Sequence, residues 1–465
     1  QACTLMYDLN TSQILKARAG GDDGYAHNVI ISSMTIDGVN TPINSTCAAT
    51  GCKDPGNGYV NAGYYAQWAV WDREYNPNSM PFASINDIIY AFIGFDKDTG
   101  NLASLDGNAD SWSIPVVSKA ILQNPYMHAH LSFGGWTNNQ VNTAPMFLKL
   151  SSSQASMQNF ATQAVALMKK TKFSGLDIDW EWWSEPEQAP AKQMLSFYKI
   201  LRAELDKAGA ADGKHYTLTI AVNAGVDRVN AMQDPSNPNS VADYWKQVNT
   251  LVDQINLMSY DYHGAYDNSK PAYFHANYDF ANIPLDKQAD VGQTSGWSIK
   301  AVVAAYQANG ITAKKLVLGL PAYARTMSVS GGTNGGLLQA VSGAGFGDYE
   351  AGVLDYKCLV NPVADKANGC KNVSAGLSDL VFYNSKATGT ALSAFNTYGR
   401  DAMQPWAYSP STNTFVTFDD TWSVTAKTKA AKDSGLGGMM FWELDGDSNT
   451  PQLSLIKAVK DELNR

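Results

Sequence analysis

The sequence predicts an α/β chain: a (β/α)8 TIM barrel with a small α+β insertion between its seventh and eighth strands. Three observations predict it. Eight short, largely apolar runs recur from residue 59 onward, at 59–66, 86–95, 127–134, 173–181, 216–223, 252–260, 315–322 and 437–443. Amphipathic stretches with helical spacing stand between several of them, as parallel strands joined by crossovers require. The rhythm then breaks once. More than 110 residues separate the seventh run from the eighth, too many for a loop in a compact domain, so the gap must hold its own structure. An open, doubly wound sheet is the main rival, but no Gly-x-Gly-x-x-Gly turn follows the first run.

Taken in order, residues 1–57 are a lead-in segment of unclear role. Gly20-Gly21-Asp22-Asp23-Gly24 and Asp54-Pro55-Gly56-Asn57-Gly58 are turn material, and Val29-Ile30-Ile31 between them reads as one strand. The barrel takes residues 58–326 and 403–465. After its third strand, Met157, Phe160, Ala161, Ala164 and Met168 repeat at helical spacing. After its fourth, Met194, Phe197, Tyr198, Leu201 and Leu205 do the same. The insertion takes 327–402, where strand-like pieces alternate with Gly and Asn. Asp419-Asp420-Thr421-Trp422-Ser423 reads as the capped entry to the last barrel helix before strand eight.

The fourth strand carries the chemistry. In Phe173-Ser174-Gly175-Leu176-Asp177-Ile178-Asp179-Trp180-Glu181, alternation puts Leu176 and Ile178 on one face and Asp177, Asp179 and Glu181 on the other. Three acids on one strand face repel one another, and stability alone does not bury them. Their use is a tuned set of carboxyls at a strand end, with the last kept protonated for acid catalysis. Phe173 and Gly175 lie deeper on the acidic face, where Gly leaves room for crowded inner side chains. In a barrel of this kind the reactive groups gather at the C-terminal strand ends. Those ends read Gly63-Tyr64-Tyr65, Ser132-Phe133-Gly134-Gly135-Trp136, the acids, Asn256-Leu257-Met258-Ser259-Tyr260-Asp261, Gly319-Leu320-Pro321-Ala322-Tyr323-Ala324-Arg325 and Met439-Met440-Phe441-Trp442-Glu443.

These segments resemble family 18 chitinases. Gly-Leu-Asp-Ile-Asp-Trp-Glu is similar to that family's Asp-x-x-Asp-x-Asp-x-Glu signature, with Ser174 where the first Asp usually lies. Ser-x-Gly-Gly-Trp, Met-Ser-Tyr-Asp and the late Trp are typical too, and Tyr-Ala-Arg replaces the commoner Tyr-Gly-Arg. The resemblance implies a general acid at Glu181, an acetamido-orienting carboxyl at Asp179 and its inner partner at Asp177. It implies that Tyr260 holds the acetamido oxygen and that Met258 and Asp261 line the same subsite. Trp442 becomes the floor under the scissile sugar and Trp136 a stacking platform on the leaving-group side. Ser132 and Tyr64 support Asp177, and Tyr323 and Arg325 make rim contacts. Most glycosidases use two carboxyls about 5–9 Å apart. Asp179 and Glu181 instead stand on the same side of the sugar, so the candidate nucleophile is the substrate's own acetamido oxygen.

Composition fits this reading. With 34 basic against 43 acidic residues the net charge is −9, and no Lys/Arg-rich run exists, which argues against nucleic acid and is compatible with a neutral sugar. No apolar run reaches the length of a membrane span. The expected partners are chitin or chitooligosaccharides. The start at Gln1 and the few cysteines suggest a processed, secreted protein. Cys358 and Cys370 could close a short loop, as could Cys47 and Cys52, leaving Cys3 over. No cofactor and no metal are expected: His128 and His130 alternate on one strand without a third ligand, which favours a packed or rim position. Two other readings stand beside the chitinase: an endo-acting N-acetylglucosaminidase on glycans, and a lectin of the same fold, which usually lacks the acid that Glu181 supplies.

Overall fold

The computed structural model describes residues 53–182, 188–361, 370, 377–387 and 397–465, together with four short strands in the first 52 residues. Those four form two antiparallel hairpins, Cys3–Asp8 with Gln13–Ala19 and Ser33–Ile36 with Val39–Pro42. The strand expected at Val29-Ile30-Ile31 and the pair Cys47 and Cys52 lie outside the described residues.

From Val60 the chain closes an eight-stranded parallel barrel. Its strands are β1 (Val60–Ala66), β2 (Asp87–Ala91), β3 (His128–Gly134), β4 (Gly175–Asp179), β5 (Thr217–Asn223), β6 (Gln254–Met258), β7 (Leu316–Pro321) and β8 (Gly438–Trp442). Each pairs with the next, and β8 pairs with β1. All eight expected runs are therefore strands, with shorter bounds than read from the sequence.

The helical repeats bury the faces they predict. In α1 (Gln154–Thr171), Met157, Phe160, Ala161, Ala164 and Met168 are buried, and the Ser153 hydroxyl caps the N-terminus through the backbone N–H of Ser156. In α2 (Ala191–Asp212), Met194, Phe197, Tyr198, Leu201 and Leu205 face inward, and left-handed Gly213 (φ 67°) ends the helix. Rings of Phe133, Phe160 and Phe197 meet edge to face at 4.8–5.1 Å between strands and helices. Each such pair adds about 0.5–1.5 kcal/mol beyond the buried area. The last helix before β8, α3 (Thr421–Asp433), opens on a reciprocal box: Asp420 accepts from the Ser423 N–H while Ser423 Oγ accepts from the Asp420 N–H.

Strand β4 departs from expectation at both ends. Phe173 precedes the strand and packs in the outer core with Leu176 and Ile178, not on the acidic face, because the regular alternation begins only at Gly175. Glu181 lies two residues beyond the strand, at the barrel mouth. Between them Trp180 is buried and stacks on Phe147, centroids 4.9 Å apart. Gly175 does face inward. A Cβ there would stand 2.1 Å from the Thr217 carbonyl oxygen, so no larger residue fits.

Between β7 and β8 stands a six-stranded antiparallel sheet. It runs wider than the expected 327–402. It starts with Tyr323–Val329, directly after β7, and includes Trp406–Ser409 and Thr414–Thr417 from the stretch assigned to the barrel. The physical reason is pairing: Arg325–Ser328 bonds directly to Thr414–Thr417, so the outgoing and returning chain are one hairpin-like unit. Short helices at Tyr356–Val360 and Thr397–Ala402 accompany the sheet. Cys358 and Cys370 form a disulfide beside it.

Candidate active site

The inner face of β4 brings Asp177 and Asp179 to the upper barrel, and register decides their partners. Ser132 of β3 and Thr219 of β5 pair with Asp177 across the strands. Thr219 Oγ1 donates to one carboxylate oxygen at 2.6 Å, and Ser132 Oγ (2.6 Å) and the Tyr64 hydroxyl (3.0 Å) donate to the other. Asp177 is fully buried. Burial pushes its pKa up, and the three hydroxyls and the charge of His130 oppose the rise.

Two residues further along β4, Asp179 interacts with its neighbour Glu181. Burial, then the charges of Glu181 and Asp177, raise Asp179 well above the carboxylate range. Burial and the charge of Asp261 push Glu181 up to about 7. Two adjacent carboxyls with raised pKa values hold one proton between them into the neutral range.

Asp261 is the counterweight. The Tyr323 hydroxyl (2.6 Å) and Arg325 Nε (2.9 Å) both donate to its Oδ1. Burial raises its pKa, but Arg325 and His275 together outweigh burial and hold the carboxyl well below its usual range. Asp261 therefore stays charged while its field keeps a proton on Glu181.

An open cavity of about 580 Å³ covers these groups. Tyr64, Trp136, Asp179, Glu181, Met258, Tyr260, Asp261, Tyr323 and Trp442 line it. The other three expected residues lie one layer back. Asp177 and Ser132 form the floor below the wall, and Arg325 stands behind Asp261 instead of making the expected rim contact. Trp442 stacks on Phe92 (centroids 5.9 Å, planes 21° apart) and touches the rings of Tyr64 and Trp68. Trp136 is 50% exposed at the rim. Trp183 lies outside the described residues.

Sequence reasoning missed Trp68, Phe92, Arg228 and Trp297, all of which line the cavity. Phe92 follows β2 directly, and Asn223 ends β5. Reading those two strand ends as the other six were read finds the first and points to the Asn223–Arg228 wall. Trp297 stands far from any strand end and carries no local signal; its indole N–H donates to Asp227 at 3.1 Å.

Among the described residues one set could offer metal-type atoms: Asp348, Asp355 and Cys358 come within 4.8 Å of one another. Cys358 is committed to its disulfide and Asp355 to an ion pair with Arg73, 3.4 Å away. His128 is exposed at the barrel bottom and His130 is buried inside.

Comparison with known proteins agrees with this geometry. The model of glycosyl hydrolases family 18 matches residues 60–447. Chitinase 1 of Aphanocladium album is 30% identical over 434 residues, covering 89% of this chain and 87% of that protein. Endochitinase 1 of Metarhizium robertsii is 30% identical over 457 residues, covering 94% and 92%. Among solved structures, the group IV chitinase of Ostrinia furnacalis superposes with a TM-score of 0.69 at 22% identity, covering 88% of this chain and all of that one. The family 18 chitinase of Cycas revoluta in complex with (GlcNAc)4 reaches 0.66 at 21%, covering 87% of this chain and 99% of that one. With the family model spanning all eight barrel strands and the acids of β4 at the barrel mouth, the chain belongs to glycoside hydrolase family 18 and is a glycosidase.

Proposed function

We propose that the protein is a chitinase, hydrolysing β-1,4 links between N-acetylglucosamine units in chitin and chitooligosaccharides by a retaining, substrate-assisted mechanism. Glu181 is the general acid, and the substrate's acetamido oxygen is the nucleophile. One observation carries this reading: among the described residues, no lining carboxyl is placed as a second, opposed catalytic acid. Among the described residues, four carboxyls line the cavity. Asp261, though ionised, is engaged by Arg325 and Tyr323. Asp267 is tied into a rim turn by Ser269. The remaining two, Asp179 and Glu181, stand two residues apart at one strand end and interact with each other. An ordinary retaining enzyme separates acid and nucleophile by about 5 Å and an inverting one by more.

In this mechanism Glu181 donates to the glycosidic oxygen. Asp179 and the Tyr260 hydroxyl hold the acetamido group, and Trp442 is the apolar floor beneath the sugar. Trp136 offers a face to the leaving-group side. The names of the relatives support chitin as substrate, and the disulfide of Cys358 and Cys370 supports export. A product profile on GlcNAc oligomers of defined length tests the substrate: cleavage is expected, and intact oligomers after prolonged incubation with folded protein refute it.

Two smaller results are expected. Trp136→Ala should weaken binding of long oligomers by a factor of a few, since one stacked ring contributes about 0.5–1.5 kcal/mol beyond its area. Calorimetry with a long and a short oligomer reads this, and equal affinities before and after the change would make Trp136 a bystander. Asp261→Asn removes a charge that pushes Glu181 up to about 7. The Glu181 pKa then falls, the acid loses its proton at lower pH, and the alkaline limb of kcat/KM moves to the acid side. A limb that stays in place contradicts the electrostatic coupling of the two carboxyls.

A further inference from the structure

Asp261 stands three residues beyond β6 with φ 61°, the left-handed region that few residues other than glycine adopt. Its backbone is held there from one place. The Asp261 N–H donates to His275 Nδ1 at 3.2 Å, and the Tyr262 N–H donates to the His275 carbonyl at 3.0 Å. An extended strand sends successive amides to opposite sides, so a turn at Asp261 is what lets both reach one residue. From the rim, the Tyr266 hydroxyl donates to the Asp261 carbonyl.

His275 is itself fixed. It is fully buried, and its ring lies against Tyr323 with centroids 5.4 Å apart. Its own N–H donates to Thr417 Oγ1 at 3.1 Å. Thr417 belongs to the small sheet, where it pairs in register with Arg325. Arg325 in turn donates to the Asp261 carboxylate at 2.9 Å. The sheet therefore grips Asp261 twice. Arg325 and Tyr323 hold the carboxylate, and Thr417 acts through His275 on the backbone.

The second grip sets the His275 tautomer. Nδ1 keeps a lone pair for the Asp261 amide, so the proton sits on Nε2 and the ring is neutral. Asp261 Oδ1 lies 3.6 Å from the same nitrogen, too far for a hydrogen bond. The charged groups around the ring are Asp261, Arg325 of the small sheet and Asp419 just before α3. Burial pushes the His275 pKa down, in keeping with a neutral ring near pH 7.

We propose that His275 is a positioning residue for the site: through Nδ1 it pins the backbone of Asp261, so that the small sheet sets where the Asp261 carboxylate stands beside Glu181. The kinetic part of the test rests on the chitinase reading. Without the Nδ1 acceptor the Asp261 amide loses its partner, and the residue relaxes out of the left-handed region. Its carboxylate then leaves the place where Tyr323 and Arg325 meet it.

Two substitutions separate positioning from packing. His275→Phe keeps a ring against Tyr323 and removes the acceptor. His275→Asn gives up the ring and keeps an oxygen where Nδ1 stood. His275→Phe should lower kcat/KM on GlcNAc oligomers about tenfold, the scale of a small misplacement in a site. His275→Asn should stay within about threefold of the unaltered enzyme. The reverse order, or no loss in folded His275→Phe, makes the residue a packing element and overturns the proposal. In a chain already carrying Asp261→Ala, His275→Phe should cost little more, because both changes act on one group. Losses that multiply in full overturn it as well. If His275→Phe does not fold, Thr417→Val takes its place: a loss of a few fold that disappears in the Asp261→Ala background is expected, and an unchanged kcat/KM overturns the proposal. The unaltered protein gives a readout free of activity. With 15N-labelled histidine at about pH 7, the His275 ring should carry its proton on Nε2 alone, and a proton on Nδ1 overturns the proposal. Failure of the unaltered enzyme to cleave chitin oligomers sinks the chitinase reading, while the nitrogen signals still decide whether His275 accepts from Asp261.

Discussion

Replacing Glu181 by Gln is expected to lower turnover on chitooligosaccharides at least about a hundredfold while leaving their binding intact. The substitution keeps side-chain size and a polar contact to Asp179, and it removes the proton that must reach the glycosidic oxygen. A hundredfold is about 2.7 kcal/mol of barrier, the range in which a single general acid acts. The site is prepared for that role at some cost. Glu181 carries a pKa pushed up to about 7 because it is removed from water and faces the ionised Asp261. The unaltered enzyme should therefore lose kcat/KM as pH rises through neutrality, when the free acid gives up its proton. Steady-state turnover and calorimetric affinity of the variant, measured on the same oligomer, separate the two effects. Near-normal turnover by a well-folded variant takes Glu181 out of the reaction.

How far the sequence reached follows from what each signal depends on. Barrel strands are legible because each is a short apolar run whose inner and outer faces obey a period of two, whatever its neighbours do. The twelve candidate residues were read from strand ends by the same rule, since a closed parallel barrel sends every C-terminal end to one mouth, and nine of them line the cavity. Arg325 had the right segment but the wrong role: its guanidinium points back to Asp261, a partner 64 positions away that no local pattern reveals. The insertion boundary failed for a related reason. Trp406–Ser409 and Thr414–Thr417 look like any strands, and only their pairing with each other and with Tyr323–Val329 puts them in the small sheet. The buried layer of Asp87, His130 and Thr217 joins three strands, and only register makes it one unit. From the sequence, His130 was one half of a His-x-His pair with no third ligand.

The second large effect concerns the nucleophile. Chains that lack N-acetyl groups, such as fully deacetylated chitosan or cellulose oligomers, are expected to resist cleavage, and the first product from chitin oligomers should be the β-anomer. Both follow from the position of the acids. Asp179 and Glu181 would approach the sugar together from the end of one strand, and Asp261 is held by Tyr323 and Arg325. Among the described residues no lining carboxyl is then left to attack from the opposite face, whereas the acetamido oxygen of the sugar itself can close a five-membered ring there. Asp179 and Tyr260 would hold that group in a near-attack pose, turning a bimolecular step into a unimolecular one. Ring closure inverts the anomeric carbon once and water inverts it again, so the configuration is retained. Removing the acetamido group removes the nucleophile, and the loss should approach the whole catalytic effect instead of one contact's share. Proton NMR of fresh product distinguishes the anomers before mutarotation mixes them. An α-anomer appearing first, or steady cleavage of deacetylated chains, would show that a protein group or a water attacks directly. The mechanism would then fall even if chitin remained the substrate.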